Sequence, residues 1–390
     1  MPAPIVITLV YLIGLGIVYP ALPFQALDLG ASPLQVSLIL VTDTAVVLVL
    51  STFMGRLSDK IGRRSVTCLA LATAPVAYLM MAYADSLAWL FAARALAGVS
   101  NAAIPVIQAL MADCTCDKSR VRGMANVNSA FAIAFIIGPI LGREWLLGPG
   151  GDDYRSGALG GAAFAVMALV LAVFLLREIR LPTVGERLPT PGKGRGLGAL
   201  ILSPLCLGPI AVMAVLAFAY AAMETTLGLW SSRMLSWRAS DVALGFMFAG
   251  MAALFSLWVL IPFLCRRLGE EPVAAGAALA MGLGMSLFVL WPSDGVIAVA
   301  LMLLGGGIAT SLSCLQALLS KAAPASIQGT ALGLNHAILS VARILGPVWG
   351  GFALGSLGSG WPYVSGAALA LLALLLMAWI YRPRPAPSEG

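Results

Sequence analysis

The ionisable residues most able to do chemistry in this sequence lie inside long apolar stretches, where a charge normally has a function or a partner. Asp43 stands near the middle of one such stretch, and Glu224 lies in the segment YAAMETTLGLW. A carboxylate in such surroundings can load and release a proton, which is useful for coupling proton movement to another process. The alternative for Asp43 is a fixed ion pair with Arg94 or Arg343. For Glu224 the alternative is a carboxylate already in water.

Glu144 is a further candidate for proton coupling. It follows Arg143 and precedes the segment GPGGDDYRSG, and this context favours a solvated rim.

Polar residues also form stripes on two predicted helices. One stripe has steps of three or four residues and contains Arg94, Gly98, Asn101, Pro105 and Gln108. The other places His336, Ser340 and Arg343 at i, i+4 and i+7, so each stripe shares one helix face. A polar stripe of this kind faces protein or water, and the family resemblance given below implies that Arg94, Asn101, Gln108, Trp230, His336 and Arg343 are candidates for lining a substrate cavity. The alternatives are helix packing for the first stripe and an interhelical hydrogen bond for His336.

The elements that position these residues are membrane-spanning helices. Hydrophobic residues make up 60% of the 390 residues and charged residues 10%, far from the composition of a soluble domain. Runs of about 20 apolar residues, long enough to cross a bilayer as helices, recur along the chain without the alternation of a β-barrel. We predict an all-α integral membrane protein with spans at 5–27, 33–54, 65–84, 87–111, 123–146, 157–176, 202–230, 242–264, 273–291, 295–319, 329–355 and 362–381.

The distribution of basic residues predicts the orientation. Most of the 23 Lys and Arg residues fall in segments that lie on one side if both termini are cytoplasmic. The net charge of +6 therefore reports topology, and no nucleic-acid partner is needed to explain it. We expect a multi-pass protein of the cytoplasmic membrane.

The chain divides into two halves of six predicted spans each. Residues 177–200 are rich in Arg, Pro and Gly and are typical of a flexible cytoplasmic linker between bundles at 1–176 and 201–390. The segments Gln108-Ala109-Leu110 and Gly138-Pro139 recur 208 residues later as Gln316-Ala317-Leu318 and Gly346-Pro347. This constant offset favours two pseudo-symmetric bundles that arose by duplication.

The sequence GRLSDKIGRR at 55–64 resembles the signature loop of the major facilitator superfamily, G-x-L-[AS]-D-[RK]-x-G-R-[RK]. Arg94-Ala-Leu-Ala-Gly98 is similar to the R-x-x-x-G motif of that superfamily. Gly138-Pro139-Ile-Leu-Gly142 resembles part of the G-x-x-x-G-P-x-x-G-G element of the drug/proton antiporter subfamily, with Ala134 and Arg143 as departures.

The resemblance implies a function for each motif. The loop would latch the two halves on the cytoplasmic side in an outward-open state, through Gly55, Asp59, Gly62, Arg63 and Arg64. From their own chemistry, Gly55 and Gly62 would permit tight turns there. Gly98, Gly138, Pro139, Gly142, Gly346 and Pro347 would set helix packing and bends. The first, fourth, seventh and tenth spans would surround a central cavity, and the protein would be a monomer.

The sequence contains no motif that indicates an enzymatic or ATP-driven function. No G-x-x-x-x-G-K-[ST] segment is present, and the six cysteines and one histidine do not form a metal-binding pattern. We therefore expect a secondary transporter that needs no cofactor beyond a proton gradient.

Two substrate classes remain open at this point. The first hypothesis is proton-coupled efflux of amphipathic, drug-like compounds by alternating access. The alternative is import or export of an anionic or zwitterionic metabolite, for instance a metal chelator such as a siderophore, attracted by Arg94 and Arg343. A receptor or scaffold that transports nothing would not need buried ionisable residues.

Overall fold

The computed structural model describes residues 3–113, 130, 133–143, 153–176, 204–323 and 328–380. Within these residues every regular element is helical, and eleven helical segments are long and apolar enough to cross a membrane. They coincide with eleven of the twelve predicted spans. Half of the predicted fifth span, 123–146, and the whole predicted linker, 177–200, lie outside the described residues.

The described helices are numbered here in chain order. In the first half they are α1 (Ala3–Val18), α2 (Leu22–Asp28), α3 (Pro33–Ile61), α4 (Arg63–Leu71), α5 (Thr73–Ala82), α6 (Leu87–Asn101), α7 (Ala103–Asp113), α8 (133–141) and α9 (Tyr154–Leu175). In the second half they are α10 (Pro204–Met234), α11 (Ala239–Phe255), α12 (Ile261–Leu268), α13 (Glu270–Leu290), α14 (Asp294–Ala322), α15 (Gln328–Ser356) and α16 (Trp361–Ile380).

Several spans consist of two helices because a proline interrupts them. The break between α4 and α5 at Ala72 precedes Pro75, and the break between α6 and α7 at Ala102 precedes Pro105. A π-helical segment, Ser256–Leu260, joins α11 to α12 and is followed by Pro262. Proline lacks an amide donor and collides with the preceding turn, so the regular ladder of hydrogen bonds breaks just before it.

The segment 55–64 is mostly helix, which corrects one prediction. Helix α3 continues to Ile61, and only Gly62, with φ +100°, separates it from α4. Gly62 therefore makes the tight turn for which glycine is needed. Gly55 lies inside α3 with open space around it, so the prediction that it permits a turn is wrong. The apolar candidate span, Pro33–Ser51, ends before the helix does, because the last turns of α3 are polar.

The two halves use glycines in the same way at positions 208 residues apart. A methyl group on Gly138 of α8 would lie 2.8 Å from the Ile13 carbonyl oxygen of α1. One on Gly346 of α15 would lie 2.5 Å from the Phe218 carbonyl oxygen of α10. The corresponding helix pairs thus approach with backbone against backbone in both halves.

The halves also contact each other at one end of the bundle, which we call the Pro33 face; the opposite end is the Gly62 face. Gly351 of α15 packs so closely on α3 that a methyl group there would lie 2.8 Å from the Pro33 carbonyl oxygen. A methyl group on Gly228 of α10 would lie 3.1 Å from Cβ of Pro23 in α2. These contacts close the space between the halves at the Pro33 face.

Candidate functional site

A cavity of about 530 Å³ lies between the two halves. The first half contributes residues from α1, α3, α7 and α8, as well as Asn101 at the end of α6. The second half contributes residues from α10, α11, α14 and α15. The cavity is therefore formed by both halves, and a change in their relative position would change its access.

Aromatic side chains form much of the cavity wall toward the Pro33 face. The ring of Tyr19 meets Phe135 edge-on at 6.3 Å and Phe246, from the other half, at 6.0 Å between centroids. Tyr220 of α10 also lines the cavity. Sequence reasoning missed these four residues, because aromatic residues in apolar helices carry no signal that separates cavity walls from lipid-facing positions.

Asp43 and Arg94 form a buried ion pair at the cavity wall. Oδ1 of Asp43 lies 2.9 Å from Nη2 of Arg94, and Asp43 itself lines the cavity. Arg94 is fully buried and is not part of the cavity lining, although the sequence predicted it there. Its guanidinium also donates to the carbonyl oxygens of Ile39 and Leu40 at 3.4 and 3.3 Å. Arg94 thus holds the Asp43 carboxylate from behind.

Asn101 and Tyr11 extend this pair into a network across three spans. Nδ2 of Asn101 donates to Oδ2 of Asp43 at 2.9 Å, and the Tyr11 hydroxyl donates to Oδ1 of Asn101 at 2.6 Å. The same hydroxyl lies 3.1 Å from Oγ of Ser100. Asn101 lines the cavity as predicted from its stripe. Tyr11 was missed, because its apolar surroundings look like ordinary core.

Glu224 and Arg343 face the same cavity from the second half. Glu224 of α10 is half-buried, and no other described residue lies within ion-pair distance of it. Arg343 of α15 is exposed toward the cavity, beside Ser340 and Pro347. The cavity therefore carries two carboxylates, one arginine and a few neutral polar side chains, among them Asn101 and Ser340, on a wall that is otherwise apolar and aromatic.

Besides Arg94, three predicted cavity residues lie outside the cavity lining. Trp230 is buried inside the second half, where its ring packs 5.0 Å from Phe288 and 5.3 Å from Tyr363. It follows Glu224 by six residues, which turns it roughly two-thirds of a helical turn away from the cavity. Gln108 and His336 share faces with cavity residues but lie about one turn nearer the Gly62 face than the last lining residues, Pro105 and Ser340.

The predicted packing residues lie at close contacts. A methyl group on Gly98 would lie 2.6 Å from Cβ of Val46, and one on Gly142 would lie 3.3 Å from the Ile17 carbonyl oxygen. Pro139 contacts the same region, since its Cδ lies 3.4 Å from a methyl group built on Gly16. Pro347 lies inside α15 and lines the cavity.

The signature-loop residues lie at the Gly62 face, away from the cavity. Asp59 pairs with Arg63 at 3.1 Å, and Arg63 also donates to Oγ of Ser58 at 2.6 Å. Arg64 donates to the Val173 carbonyl oxygen of α9 at 2.6 Å, which ties the turn to the sixth span of the same half. Glu144 lies outside the described residues. The part of the chain that the structure describes holds no cluster of three potential metal ligands.

An all-helical bundle of many apolar spans that encloses a cavity between two halves is typical of membrane transporters for small molecules. The family model described as Major Facilitator Superfamily matches residues 5–269 and 259–390. The chain belongs to the major facilitator superfamily.

Curated relatives align with this chain over nearly their whole length. A class D tetracycline resistance protein of Salmonella ordonez is 27% identical over 98% of this chain and 97% of its own. Multidrug resistance protein 1 of Bacillus subtilis (strain 168) is 26% identical over 94% of this chain and 92% of its own.

Solved structures of the same fold align just as completely. A variant of the nucleoside transporter NupG matches 97% of this chain and 99% of its own with a TM-score of 0.82 at 12% identity. The human organic anion transporter MFSD10 (TETRAN) matches 96% and 98% with a TM-score of 0.68 at 20% identity. At these identities the structural matches establish the fold alone.

Proposed function

We propose that this transporter expels amphipathic, drug-like compounds in exchange for protons. The observation that carries the proposal is the combination of an aromatic and aliphatic cavity wall with Asp43, a cavity-facing carboxylate held by a fully buried arginine. Such a wall binds lipophilic molecules adaptably, while its few charged groups select orientation and sign. The tetracycline and multidrug resistance proteins named above, similar over nearly their full lengths, support export of such compounds.

The coupling step proposed here is a change in the Asp43–Arg94 pair. When Asp43 accepts a proton from the cavity, its attraction to Arg94 falls and the Asn101 amide loses a charged acceptor. The network joining α1, α3 and α6 then rearranges. Substrate binding beside Asp43 would favour release of the proton, so that proton and substrate compete for one site.

The orientation completes the proposal. With both termini in the cytoplasm of a monomeric inner-membrane protein, the Pro33 face is external and the Gly62 face is cytoplasmic. The contacts at the Pro33 face then close the cavity to the outside, which is the inward-facing state of an alternating-access cycle. In the opposite state these contacts separate and the signature loop closes the cytoplasmic side.

One observation favours the second substrate class. Arg343 extends its side chain toward the cavity without a described ion-pair partner, so an anionic or zwitterionic compound could bind there. Arg94 supports this alternative less than the sequence indicated, because its guanidinium already forms an ion pair with Asp43.

The test is proton movement in proteoliposomes that contain the purified protein and an enclosed pH dye. Lipophilic cations, neutral drugs and carboxylate chelators are added in turn to wild type, Asp43→Asn and Glu224→Gln. A lipophilic compound that triggers proton flux in wild type, but not in Asp43→Asn, supports the proposal and identifies the substrate class. Equilibration of labelled compounds without any proton flux would contradict proton coupling, and flux with chelators alone would establish the second class.

A further inference from the structure

A chain of hydrogen bonds runs from Asp43 at the cavity wall into the interior of the first half. Oδ2 of Asp43 accepts from Nδ2 of Asn101 at 2.9 Å, and Oδ1 of Asn101 accepts from the Tyr11 hydroxyl at 2.6 Å. Asp43 and Asn101 line the cavity, whereas Tyr11 and Ser100 are fully buried behind them. The chain therefore connects a cavity-facing acid to a tyrosine outside the cavity lining.

The direction of these bonds follows from the ionisation of Asp43. An ionised carboxylate only accepts hydrogen bonds, so the Asn101 side chain must turn its nitrogen to Asp43 and its oxygen to Tyr11. The other carboxylate oxygen, Oδ1, accepts from Nη2 of Arg94 at 2.9 Å and from the backbone amide of Thr44 at 2.8 Å. Among the described residues Oδ2 accepts from one neutral donor, so it is the oxygen at which a proton binds more readily.

Protonation of Oδ2 places two donors opposite each other unless the Asn101 amide turns. A proton from the cavity forms an O–H bond at Oδ2, and the carboxylate loses its negative charge. That O–H needs an acceptor, while Nδ2 of Asn101 is a donor. A half-turn of the amide exchanges its nitrogen and oxygen, which are of similar size, and brings the amide oxygen opposite Asp43. Both hydrogen bonds then form again at the same positions with their direction reversed.

Reversal is possible because the Tyr11 hydroxyl has a second acceptor within reach. After the amide turns, Tyr11 accepts from Nδ2 of Asn101 and must direct its own hydrogen elsewhere. Oγ of Ser100 lies 3.1 Å from the Tyr11 oxygen. The Ser100 hydroxyl donates its hydrogen to the Ala97 carbonyl oxygen at 2.8 Å, so its oxygen can accept. Each donor of the chain thus has an acceptor in both protonation states.

We propose that Tyr11 and Ser100 are positioning residues that let this hydrogen-bond chain reverse when Asp43 takes up a proton. The inference rests on the proposed function and deepens it, because it assigns the residues that allow a buried acid to change its protonation state. Without an acceptor for the Tyr11 hydrogen, the protonated state would bury an unpaired donor and would be less stable. Ser100 therefore raises the proton affinity of Asp43, although it does not line the cavity.

Other charged and titratable groups also act on Asp43. Besides Tyr11, the described groups that face it or interact with its charge are Arg94 of α6, Tyr19 after α1, Tyr78 of α5, Glu224 of α10 and Arg343 of α15. Substitution of Ser100 changes the charge of none of them. A change in the titration of Asp43 on loss of the Ser100 hydroxyl therefore reports the hydrogen-bond chain.

The first test measures the protonation of Asp43 without relying on transport. Infrared difference spectra of the purified protein, labelled with ¹³C-aspartate, are recorded as a function of pH. The carboxylic acid band of Asp43 is identified by its loss in Asp43→Asn/Arg94→Gln, in which both partners of the ion pair are removed. We expect Ser100→Ala to lower the midpoint pH of this band by about one unit, because only the protonated state loses a hydrogen bond. An unchanged midpoint would overturn the proposal.

Two further variants separate the hydrogen-bond chain from a general effect of the substitution. Ser231→Ala is the matched control, because Ser231 is also fully buried and donates to the carbonyl oxygen of Gly228, three residues earlier, but lies outside the cavity lining. The control should leave the midpoint unchanged. Ser100→Ala should likewise have no effect in a Tyr11→Phe background, since Ser100 acts through the tyrosine hydroxyl. A shift of full size in either case would contradict the assignment.

The second test follows the reversal at Tyr11 itself. The C–O stretching band of ring-labelled tyrosine differs between a hydroxyl that only donates and one that also accepts, and the band of Tyr11 is identified by its loss in Tyr11→Phe. We expect this band to shift in parallel with the titration of Asp43. A Tyr11 band that stays fixed while Asp43 titrates would refute the reversal and leave the proposed function standing. A complete absence of Asp43 titration would contradict both.

Discussion

The Asp43 carboxylate lies 2.9 Å from the Arg94 guanidinium, yet only Asp43 reaches the cavity. Arg94 has no exposed surface, and its Nη1 has no hydrogen-bond partner among the described residues. A buried cation of this kind depends on its counter-ion. Loss of the Asp43 carboxylate should therefore lower the free energy of unfolding as well as abolish proton coupling. This dependence gives the first prediction.

Asp43→Asn should destabilise the protein by about 3–5 kcal/mol, because it leaves Arg94 buried without a counter-charge. The double variant Asp43→Asn/Arg94→Gln should recover most of that stability and still show no substrate-triggered proton flux. Thermal unfolding in detergent and the pH-dye assay measure the two effects. A double variant that regains coupling would contradict a proton-carrying role for Asp43.

Arg343→Gln should distinguish the two substrate classes. Because Arg343 faces the cavity and binds no described carboxylate, its removal leaves no buried acid unpaired. We expect efflux of a lipophilic cationic dye to stay within about twofold of wild type, since no attraction to the cation is lost. Dye efflux from energised vesicles is the measurement. A loss of transport confined to carboxylate chelators would instead favour the anionic class.

Gly98→Ala and Gly55→Ala should have opposite effects on stability, although both glycines lie in helices. A methyl group at Gly98 would lie 2.6 Å from Val46 Cβ and 2.8 Å from the Asp43 carbonyl oxygen, so it should cost about 1–3 kcal/mol. At Gly55 the methyl group meets nothing, and better helix propensity should add up to about 1 kcal/mol. Unfolding temperatures of the two variants check this contrast, and similar shifts would contradict it.

Asp59→Asn should impair transport while expression stays intact. The substitution removes the charge that pairs with Arg63 beside the Gly62 turn, and the superfamily resemblance assigns this loop to closure between the halves. Lys60→Gln, one residue away and exposed, is the matched control. Dye efflux is measured at equal membrane protein levels. Efflux by Asp59→Asn at the wild-type rate would rule out the latch.

Cys265 and Cys314 should form a disulfide on mild oxidation. Their sulfur atoms lie 3.7 Å apart on α12 and α14, and a small shift brings them to the bond length of about 2.05 Å. Hydrogen peroxide would accept two electrons and two protons from the thiols and yield two waters. Mass spectrometry of unreduced peptides should find the bridge in wild type and in Cys68→Ser, but not in Cys314→Ser. A bridge that survives Cys314→Ser would refute the assignment.

Much of the fold follows from the sequence because a membrane span is a long-range compositional signal. The eleven observed spans were predicted, and the extension of α3 to Ile61 was missed because its last turns are polar. The glycine pairs followed from the offset of 208 residues, which reflects backbone packing in each half.

The cavity was harder to predict, because spacing along one helix gives a shared face but not what that face meets. Arg94 and Asn101 share a stripe, yet Arg94 lies behind Asp43 and Asn101 faces the cavity. Trp230 was predicted to line the cavity because it lies near Glu224 in sequence. The turn of the helix between the two residues instead places its side chain in the core. The aromatic cavity wall depends on contacts between the halves, which no single span encodes.

The glycine contacts shared by the two halves have a consequence for how this protein can change. At 208 residues from Asp43 and Arg94 stand Met251 and Met302, and Phe135 stands where the other half has Arg343. The similar glycine contacts of the two halves are therefore not accompanied by matching ionisable side chains. We therefore expect a chimera built from two copies of one half to lack the charged residues of the other half: Asp43 and Arg94 in one case, and Arg343 in the other.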